Sequence, residues 1–395
     1  MRGYRAQRAF DGERALTDGA LVLVAGADVV AVQPGWAAAP ADCPVDDLGD
    51  ATLLPGLVDA HVHLCGDGSP TALDRFPELS DADLDATIRA SLAAQLAAGV
   101  TTVRDLGDAR WAVVDRHRGG DGPAVVAAGP PITCPAGHCA GMGGEASGAD
   151  GLRAAVRERV EHGADVVKVM ASGGLLTRGT DVLACQFTLG ELRVVVDEAH
   201  RAGLPVTGHA HGLTAVERCV AAGLDGIEHC TCITPDGLRR PPALVEAIAA
   251  AGIAVCPTVG MVPGIVPPPH IQAQLDRNHM TLADRSVHVG ELYRAGVLLV
   301  GGVDSGISPA KPHGLMHQAV IELVDAGLPT GAALAAATSV AARACGLADR
   351  TGRLGAGLAA DLLAVGGDAL ADVTALRDVR LVVARGVQSV RTPAG

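Results

Sequence analysis

Eight short apolar runs alternate with helical patterns through the middle of the chain, and this alternation limits the possible folds most strongly. The runs cover residues 54–61, 100–105, 124–128, 165–171, 205–209, 226–229, 253–257 and 297–303. Leu84 and Ile88 begin an i, i+4 stripe typical of a helix, and Thr188-x-x-Glu191 is a capping box for a helix over 192–202. Eight such repeats predict an α/β fold built as a (β/α)₈ TIM-type barrel, with a doubly wound open sheet as the alternative.

Short β-like runs also occur at both ends of the chain. They cover residues 20–24 and 29–32 near the start, and 360–365 and 379–386 near the end. Because a two-stranded piece is rarely stable alone, we expect the two ends to form one small β-sandwich domain of residues 1–53 plus 352–395. The barrel of residues 54–351 would then be inserted between the halves of that domain, and 395 residues accommodate both units.

Composition excludes several classes of partner. The formal net charge of -13 argues against nucleic-acid and anionic-membrane partners, which need a basic surface. The first 19 residues carry charges without an apolar stretch behind them, so we expect no secretory signal. The 10 cysteines lack the short framework of a secreted scaffold, which indicates reduced thiols and a cytoplasmic location. No glycine-rich nucleotide-binding motif follows a predicted strand.

Side chains suited to metal binding or proton transfer stand where the predicted strands end. In a strand, His61 and His63 share one face. The C-terminal ends of barrel strands form one rim, where catalytic groups gather. In chain order the candidates at this rim are His61, His63, Lys168, His209, His229 and Asp304. A lone ammonium in the apolar run around Lys168 is costly to bury, so this lysine needs a modification, an ion-pair partner or an escape to water.

These residues lie in motifs that resemble the amidohydrolase superfamily. The motifs are Pro-Gly-Leu-Val-Asp-Ala-His61-Val-His63, Gly-Val-Thr-Thr-Val-Arg-Asp at 99–105, Lys168-Val-Met-Ala-Ser-Gly-Gly, Gly-His209-Ala-His211-Gly, Gly-Ile-Glu-His229 and Gly-Val-Asp304-Ser-Gly. Residues 352–362 are similar to that superfamily's return into its small β domain. Within the superfamily, the resemblance is to the branch of imidazolonepropionase-related hydrolases that includes Xaa-Pro dipeptidases.

The resemblance implies a two-metal hydrolase. His61, His63 and Asp304 would bind one divalent ion, and His209 and His229 the other. A CO₂-derived carbamate on Lys168 would bridge the two ions, which we expect to be zinc, with manganese or cobalt as alternatives. A metal-activated hydroxide would cleave an amide bond of a dipeptide such as Xaa-Pro or of an N-acyl amino acid, and Asp304 would carry the proton to the leaving nitrogen.

Three further residues are candidate substrate contacts. The resemblance implies that His138 touches the substrate carbonyl and stabilises the oxyanion. His211 either lines the pocket or bonds backbone, and Arg178 either pairs with a substrate carboxylate or is an exposed loop arginine. We assign the histidines in predicted helices and loops, such as His288, to the surface.

Two other functions stay open. The first is hydrolysis of a cyclic amide or lactam, or deamination of a small heterocycle, although His211 stands where some relatives that deaminate carry glutamate. The second is a non-catalytic barrel scaffold. We also expect a small-molecule amide substrate, no nucleic-acid or membrane partner and a homo-oligomer.

Overall fold

The computed structural model describes residues 1–120 and 122–391, and strands from both ends of this range pair with one another. The strands are β1 (Arg2–Ala6), β2 (Arg8–Phe10), β3 (Ala15–Leu16), β4 (Ala20–Ala25), β5 (Asp28–Gln33), β6 (Val45–Asp47), β7 (Ala51–Pro55), β17 (Leu362–Gly366), β18 (Val379–Ala384) and β19 (Val387–Arg391). One sheet has the order β5-β4-β1-β6, and the other has the order β19-β18-β17-β7-β2-β3.

The two sheets share one apolar core. Tyr4 and Val22 from the first sheet belong to the same buried cluster as Leu53, Leu362 and Leu381 from the second. Alternate residues of each strand supply this core, as expected for sheets that pack face to face. The two chain ends therefore bury their apolar faces together, while the domain limits of 1–53 plus 352–395 and 54–351 stay a prediction.

The middle of the chain contains parallel strands that are neighbours in chain order. They are β8 (Leu57–Val62), β9 (Val100–Asp105), β10 (Ala124–Ala127), β11 (Val167–Met170), β12 (Val206–Gly212), β13 (Gly226–Thr234), β15 (Ala254–Cys256) and β16 (Leu298–Leu299), with the antiparallel β14 (Gly237–Leu238) beside β13. The orders β10-β9-β8 and β11-β12-β13-β15-β16 contain no reversal, whereas a doubly wound sheet reverses at its switch point. The middle of the chain is therefore a mixed α/β fold whose parallel strands follow chain order.

Backbone hydrogen bonds join the edges of these two parallel sheets. On one side Asp304 N donates to His61 O at 2.7 Å, and His63 N donates to Ser305 O at 2.9 Å. On the other side Ile132 N donates to Lys168 O at 2.8 Å. These bonds bring the predicted rim residues of β8, β11 and the segment after β16 together.

Helices follow most of the parallel strands. They are α1 (Ala72–Arg75), α2 (Asp81–Ala97), α3 (Ala112–Arg116), α4 (Gly148–Glu161), α5 (Leu189–Arg201), α6 (Leu213–Ala222), α7 (Pro242–Ala250), α8 (Pro269–Arg277), α9 (Leu282–Arg294), α10 (Met316–Asp325), α11 (Thr330–Ala336) and α12 (Ser339–Ala344), with 3₁₀ turns at Ala140–Met142 and Val373–Arg377. The capping box of Thr188 and Glu191 is present at the start of α5, and Leu84 and Ile88 are buried on α2. Among helices of the described ranges, none has the length and apolar character needed to cross a membrane.

Two predicted strands have the wrong limits. The run at 54–61 is not one strand, because Leu54 pairs with Leu363 of β17 and β8 begins at Leu57. Gly56 separates the two, and a Cβ there would lie 2.1 Å from Thr101 Oγ1. The run at 297–303 shortens to β16, since the glycines that follow have little tendency to continue a strand.

Candidate metal centre and active site

A cavity of about 490 Å³ opens at the C-terminal ends of the parallel strands. All the site residues predicted from the sequence line it, namely His61, His63, His138, Lys168, Arg178, His209, His211, His229 and Asp304. The strand ends therefore bring together side chains that are far apart in sequence, as expected for the functional face of parallel βα units.

The first group of ligand atoms consists of His61, His63 and Asp304. Asp304 Oδ1 lies 3.3 Å from His61 Nε2 and 3.2 Å from His63 Nε2. Ligand atoms of the three side chains lie within 4.8 Å of one another, and all three are buried. Two imidazole nitrogens and a carboxylate oxygen at this spacing fit a divalent cation such as zinc.

The outer nitrogens of these two histidines are occupied, which fixes their tautomers. His61 Nδ1 donates to Glu228 Oε2 at 2.7 Å, and His63 Nδ1 donates to Gly107 O at 3.0 Å. In the neutral ring of His61, Nε2 therefore presents a lone pair toward Asp304. Metal-binding histidines commonly have such a partner on the other ring nitrogen.

Glu228 is a functional residue that the sequence reasoning missed. Its carboxylate also accepts hydrogen bonds from Arg104 Nη2 at 3.1 Å and Thr207 Oγ1 at 2.6 Å. Burial raises the pKa of this carboxyl, but the charge of Arg104 and the hydrogen bond from His61 outweigh burial and hold the pKa below its usual value. Arg104 and Glu228 stand inside the quoted motifs, and Glu228 directly precedes the predicted ligand His229, which was the available signal.

The second group consists of His209, His211 and His229. Their ligand nitrogens also lie within 4.8 Å of one another. His209 Nε2 donates to Gly173 O at 3.1 Å, so its free lone pair is on Nδ1, whereas His229 Nδ1 bonds Thr258 Oγ1 at 2.8 Å and leaves Nε2 free. Both predicted ligands of the second ion therefore point one nitrogen into this group.

His211 lines the cavity, and the hydrogen bond of its ring goes to a side chain rather than to backbone. Its ring lines the cavity and stacks on His229 at 4.5 Å, and its Nδ1 bonds Thr231 Oγ1 at 2.8 Å. Its backbone N–H also donates to Ser172 Oγ at 3.1 Å.

Lys168 is a buried amine without a hydrogen-bond partner among residues 1–120 and 122–391. Its side chain is 1% exposed and faces the cavity from β11. Burial lowers the pKa of this amine, although the charges of Glu228 and Asp304 act in the opposite direction. An amine in this state is poorly solvated, and a carbamate on it would present oxygen atoms to metal ions in place of an unpaired cation.

Asp304 has a strained backbone and a stabilised negative charge. Its φ of 68° is unusual for a residue other than glycine. Burial alone would raise the pKa of its carboxyl, but His61, Lys311 and His63 together hold that pKa well below the usual value. The carboxylate is therefore ionised and ready to bind a cation.

Most of the clustered histidines are neutral because they are buried. Burial lowers the pKa of His61 to about 4 and that of His211 to about 3, and lowers the pKa values of His209 and His229 well below the usual value. In His63 burial acts in the same direction, but the hydrogen bond and charge of Asp304 outweigh it and raise the pKa. Neutral imidazole is the form that binds metal ions.

His138 lies in the loop after β10, beside the two groups of candidate ligand atoms. Its Nδ1 bonds Thr177 Oγ1 at 2.7 Å, and that oxygen also accepts from Cys139 N at 3.3 Å. The second ring nitrogen, Nε2, lies 3.6 Å from Cys139 Sγ. Burial lowers the pKa of His138 to about 3, so the ring beside the centre is neutral.

Arg178 differs from the other candidate site residues in that its side chain is exposed. Arg178 lines the cavity but is exposed, as in the loop interpretation of its sequence.

His288, which we assigned to the surface, is 2% exposed, and its Nε2 donates to Cys230 O at 2.7 Å. That assignment was wrong because α9 packs this side chain against the end of β13.

Comparisons with known proteins agree with this geometry. The model of the Amidohydrolase family matches residues 52–388. Ochratoxinase from Aspergillus niger is 28% identical over 375 residues, which cover 84% of this chain and 73% of that enzyme.

Two solved structures are similar over nearly their whole length. A Xaa-Pro dipeptidase with methionine bound in its active site has a TM-score of 0.84 at 24% identity, and the match covers 98% of this chain and 99% of the other. A prolidase in complex with N-methylphosphonate-L-proline has a TM-score of 0.84 at 25% identity, with 99% and 100% covered. The chain therefore belongs to the amidohydrolase family and is a hydrolase.

Proposed function

We propose that this protein hydrolyses an amide bond of a small molecule at a centre of two divalent metal ions. A dipeptide such as Xaa-Pro, or an N-acyl amino acid, is the proposed substrate. The observation that carries this proposal is the convergence of two groups of buried imidazoles on the ionised Asp304 and on Lys168, a buried amine without a hydrogen-bond partner in the described ranges. The amide-cleaving relatives named above support the reaction type.

The proposed ligands of each metal ion come from one of the two groups of side chains described above. His61, His63 and Asp304 would hold one ion, and His209 and His229 the other. Lys168, as a carbamate derived from CO₂, would bridge the ions. We propose zinc, because imidazole and carboxylate are its common ligands.

The reacting groups of the chain have separate tasks. The chemistry that the ions supply when bound is polarisation of the scissile carbonyl and a lower pKa for the attacking water. Asp304 accepts a proton from that water on its carboxylate and passes it to the leaving nitrogen. His138 donates its Nε2 hydrogen to the carbonyl oxygen as negative charge develops there.

The lysine content makes the carbamate directly testable. The sequence contains two lysines, Lys168 and Lys311, so a ¹³C carbamate signal from protein loaded with ¹³C-bicarbonate has few possible sources. We expect this signal and bound metal in the wild type, neither in Lys168→Ala, and the carbamate signal retained in Lys311→Met. A wild-type protein that binds no metal after reconstitution, and that hydrolyses no dipeptide or N-acyl amino acid, would refute the proposed function.

The wider setting is part of the same proposal. We propose a closed (β/α)₈ barrel of residues 54–351 with a β-sandwich domain of residues 1–53 plus 352–395, supported by the hydrogen bonds that join both edges of the parallel sheets. The 10 cysteines all lie in the described ranges as free thiols, which supports work in the cytoplasm. We also propose a homo-oligomer, and light scattering of the purified protein tests its oligomeric state. We propose no nucleic-acid or membrane partner.

A further inference from the structure

Two cations beside the metal centre are brought together by one carbonyl oxygen. Lys311 Nζ donates to Thr258 O at 2.6 Å, and Arg285 Nη2 donates to the same oxygen at 3.0 Å. The hydroxyl of Thr258 is bonded to His229 Nδ1 at 2.8 Å. The pair is therefore fixed one residue away from a proposed metal ligand, and both side chains line the cavity.

Protein carboxylates balance the charge of this pair incompletely. Within residues 1–120 and 122–391, Arg285 has no carboxylate within ion-pair distance, and Lys311 has Asp304 Oδ2 alone, at 3.8 Å. The carboxylate of Glu322 acts on both cations at longer range, and it accepts hydrogen bonds from Gly260 N at 2.7 Å and Met261 N at 2.8 Å. Lys311 is buried and Arg285 is half-buried, and cations that are removed from water without a close anionic partner are costly, so this part of the cavity favours an anionic ligand group.

The cavity offers little to a cationic ligand group. Its carboxylate side chains are Asp304, which belongs to the first metal group, and Asp74, which is exposed on α1. The free α-ammonium of a dipeptide would have to leave water without a buried carboxylate to receive it. An acylated nitrogen carries no such charge.

The remaining wall is aliphatic. It includes Leu175, Ile233, Met261, Ile265, Leu275 and Met280. Burial of apolar surface contributes roughly 25 cal/mol per Å² removed from water, so such a wall favours the binding of a large apolar acyl group. The cavity is thus cationic next to the metal centre and apolar beyond it.

We infer, on the basis of the proposed function, that the substrate is an N-acyl amino acid whose α-carboxylate is held by Arg285 and Lys311 and whose acyl group lies against the aliphatic wall. One carbon separates an α-carboxylate from the scissile nitrogen, which suits an anion site so close to His229. In the reaction the C–N bond breaks, water supplies the new C–O bond, and the nitrogen leaves with a proton as the free amino acid. Free dipeptides are then poor substrates.

Three compounds separate charge from shape. N-octanoyl-L-leucine carries the carboxylate, N-octanoyl-L-leucinamide replaces it with a neutral amide, and L-leucyl-L-leucine keeps the carboxylate but has a shorter, branched acyl group with a free ammonium. We expect kcat/KM for the first compound to exceed that for each of the others by about 10- to 100-fold, which is the range for a charge-assisted hydrogen bond. Release of octanoate or leucine is measured by chromatography.

Variants of Arg285 identify the cation that recognises the carboxylate. Arg285→Gln should raise KM for N-octanoyl-L-leucine by about 10- to 100-fold and lower the ratio of kcat/KM for the acid to kcat/KM for the leucinamide by a similar factor, and Arg285→Lys should restore part of the loss. Arg89→Gln, at an exposed position of α2, is the matched control. Circular dichroism checks that each variant folds.

Four results overturn the inference: equal kcat/KM values for the acid and the amide, a preference for the dipeptide, an unchanged KM in Arg285→Gln, or a selective loss in Arg178→Gln instead. If no amide is hydrolysed, the proposed function is refuted, but the anion site can still be tested by binding. Calorimetry would then compare binding of the acid and the amide to the wild type and to Arg285→Gln. Equal binding in all four combinations refutes the site.

Discussion

The most informative stability test concerns the buried ion pair of Glu228 and Arg104. Glu228 is fully buried, and its carboxylate accepts hydrogen bonds from Arg104, Thr207 and His61. Glu228→Gln keeps the shape of the side chain and removes the charge. Arg104 would then be a buried cation whose remaining bonds run to carbonyls, Ala60 O at 2.8 Å and Ala344 O at 3.4 Å.

The size of the effect follows from this environment. Removal of one partner of a buried ion pair costs about 3–5 kcal/mol of unfolding free energy, because the other charge is left uncompensated. Arg104→Met should cost a similar amount for the same reason. The double variant has no orphaned charge, so its loss should be smaller than the sum of the single losses by about 2 kcal/mol or more.

Urea unfolding of the metal-free protein, followed by circular dichroism, measures these losses. Arg75→Met is the matched control, since it breaks the exposed pair with Asp67 at 2.9 Å and should cost about 1 kcal/mol at most. Glu228→Gln should also weaken metal binding by about 10- to 100-fold, because His61 loses the anion that orients it. Single losses below about 1 kcal/mol that simply add would refute this account of the pair.

Three further predictions follow from the same contacts. In Gly174→Ala the new Cβ would lie 2.2 Å from His138 Cε1, so kcat should fall at least about 10-fold, in activity assays, while bound metal stays unchanged. Burial lowers the pKa of His288 to about 4 in the folded protein. The unfolded chain then takes up a proton first as pH falls from about 6.5 to 4, and about 3 kcal/mol of stability should be lost; urea titrations of His288→Gln should lack this part. Thr258→Val removes the hydrogen bond to His229 Nδ1, so competition with a chelator should show metal affinity about 10-fold lower, and unchanged affinity would contradict that role.

The sequence indicated the proposed ligand set because these residues stand at or near the ends of apolar runs. His61, Lys168, His209 and His229 follow or lie within short strands, and parallel strands bring such ends to one edge. The alternation of strands and helices could also be predicted from residues close together in sequence. The capping box of α5 required only Thr188 and Glu191, three residues later. These features depend on spacing along the chain.

The contacts that complete the site depend on packing between distant segments, which spacing does not report. Arg285 comes from α9 and Lys311 from the loop after β16, and they meet at Thr258 after β15. His288 has the same sequence surroundings as a surface histidine and is buried by the placement of α9. Such residues become visible only when the helices are placed on the strands.

The backbone within β13 explains how adjacent residues can contribute to the same site. Side chains of neighbouring strand residues point to opposite faces, yet Glu228 bonds His61 while His229 joins the second ligand group. The backbone leaves the extended conformation at this point, with φ of 66° at His229 and 48° at Cys230. Left-handed backbone at residues other than glycine costs about 1 kcal/mol or more each, and it is retained where surrounding contacts enforce it. Here the bond from His288 to Cys230 O and the bond between His229 and Thr258 supply that constraint. Local strain within β13 therefore lets one strand carry the proposed ligand His229 and also orient the proposed ligand His61 through Glu228.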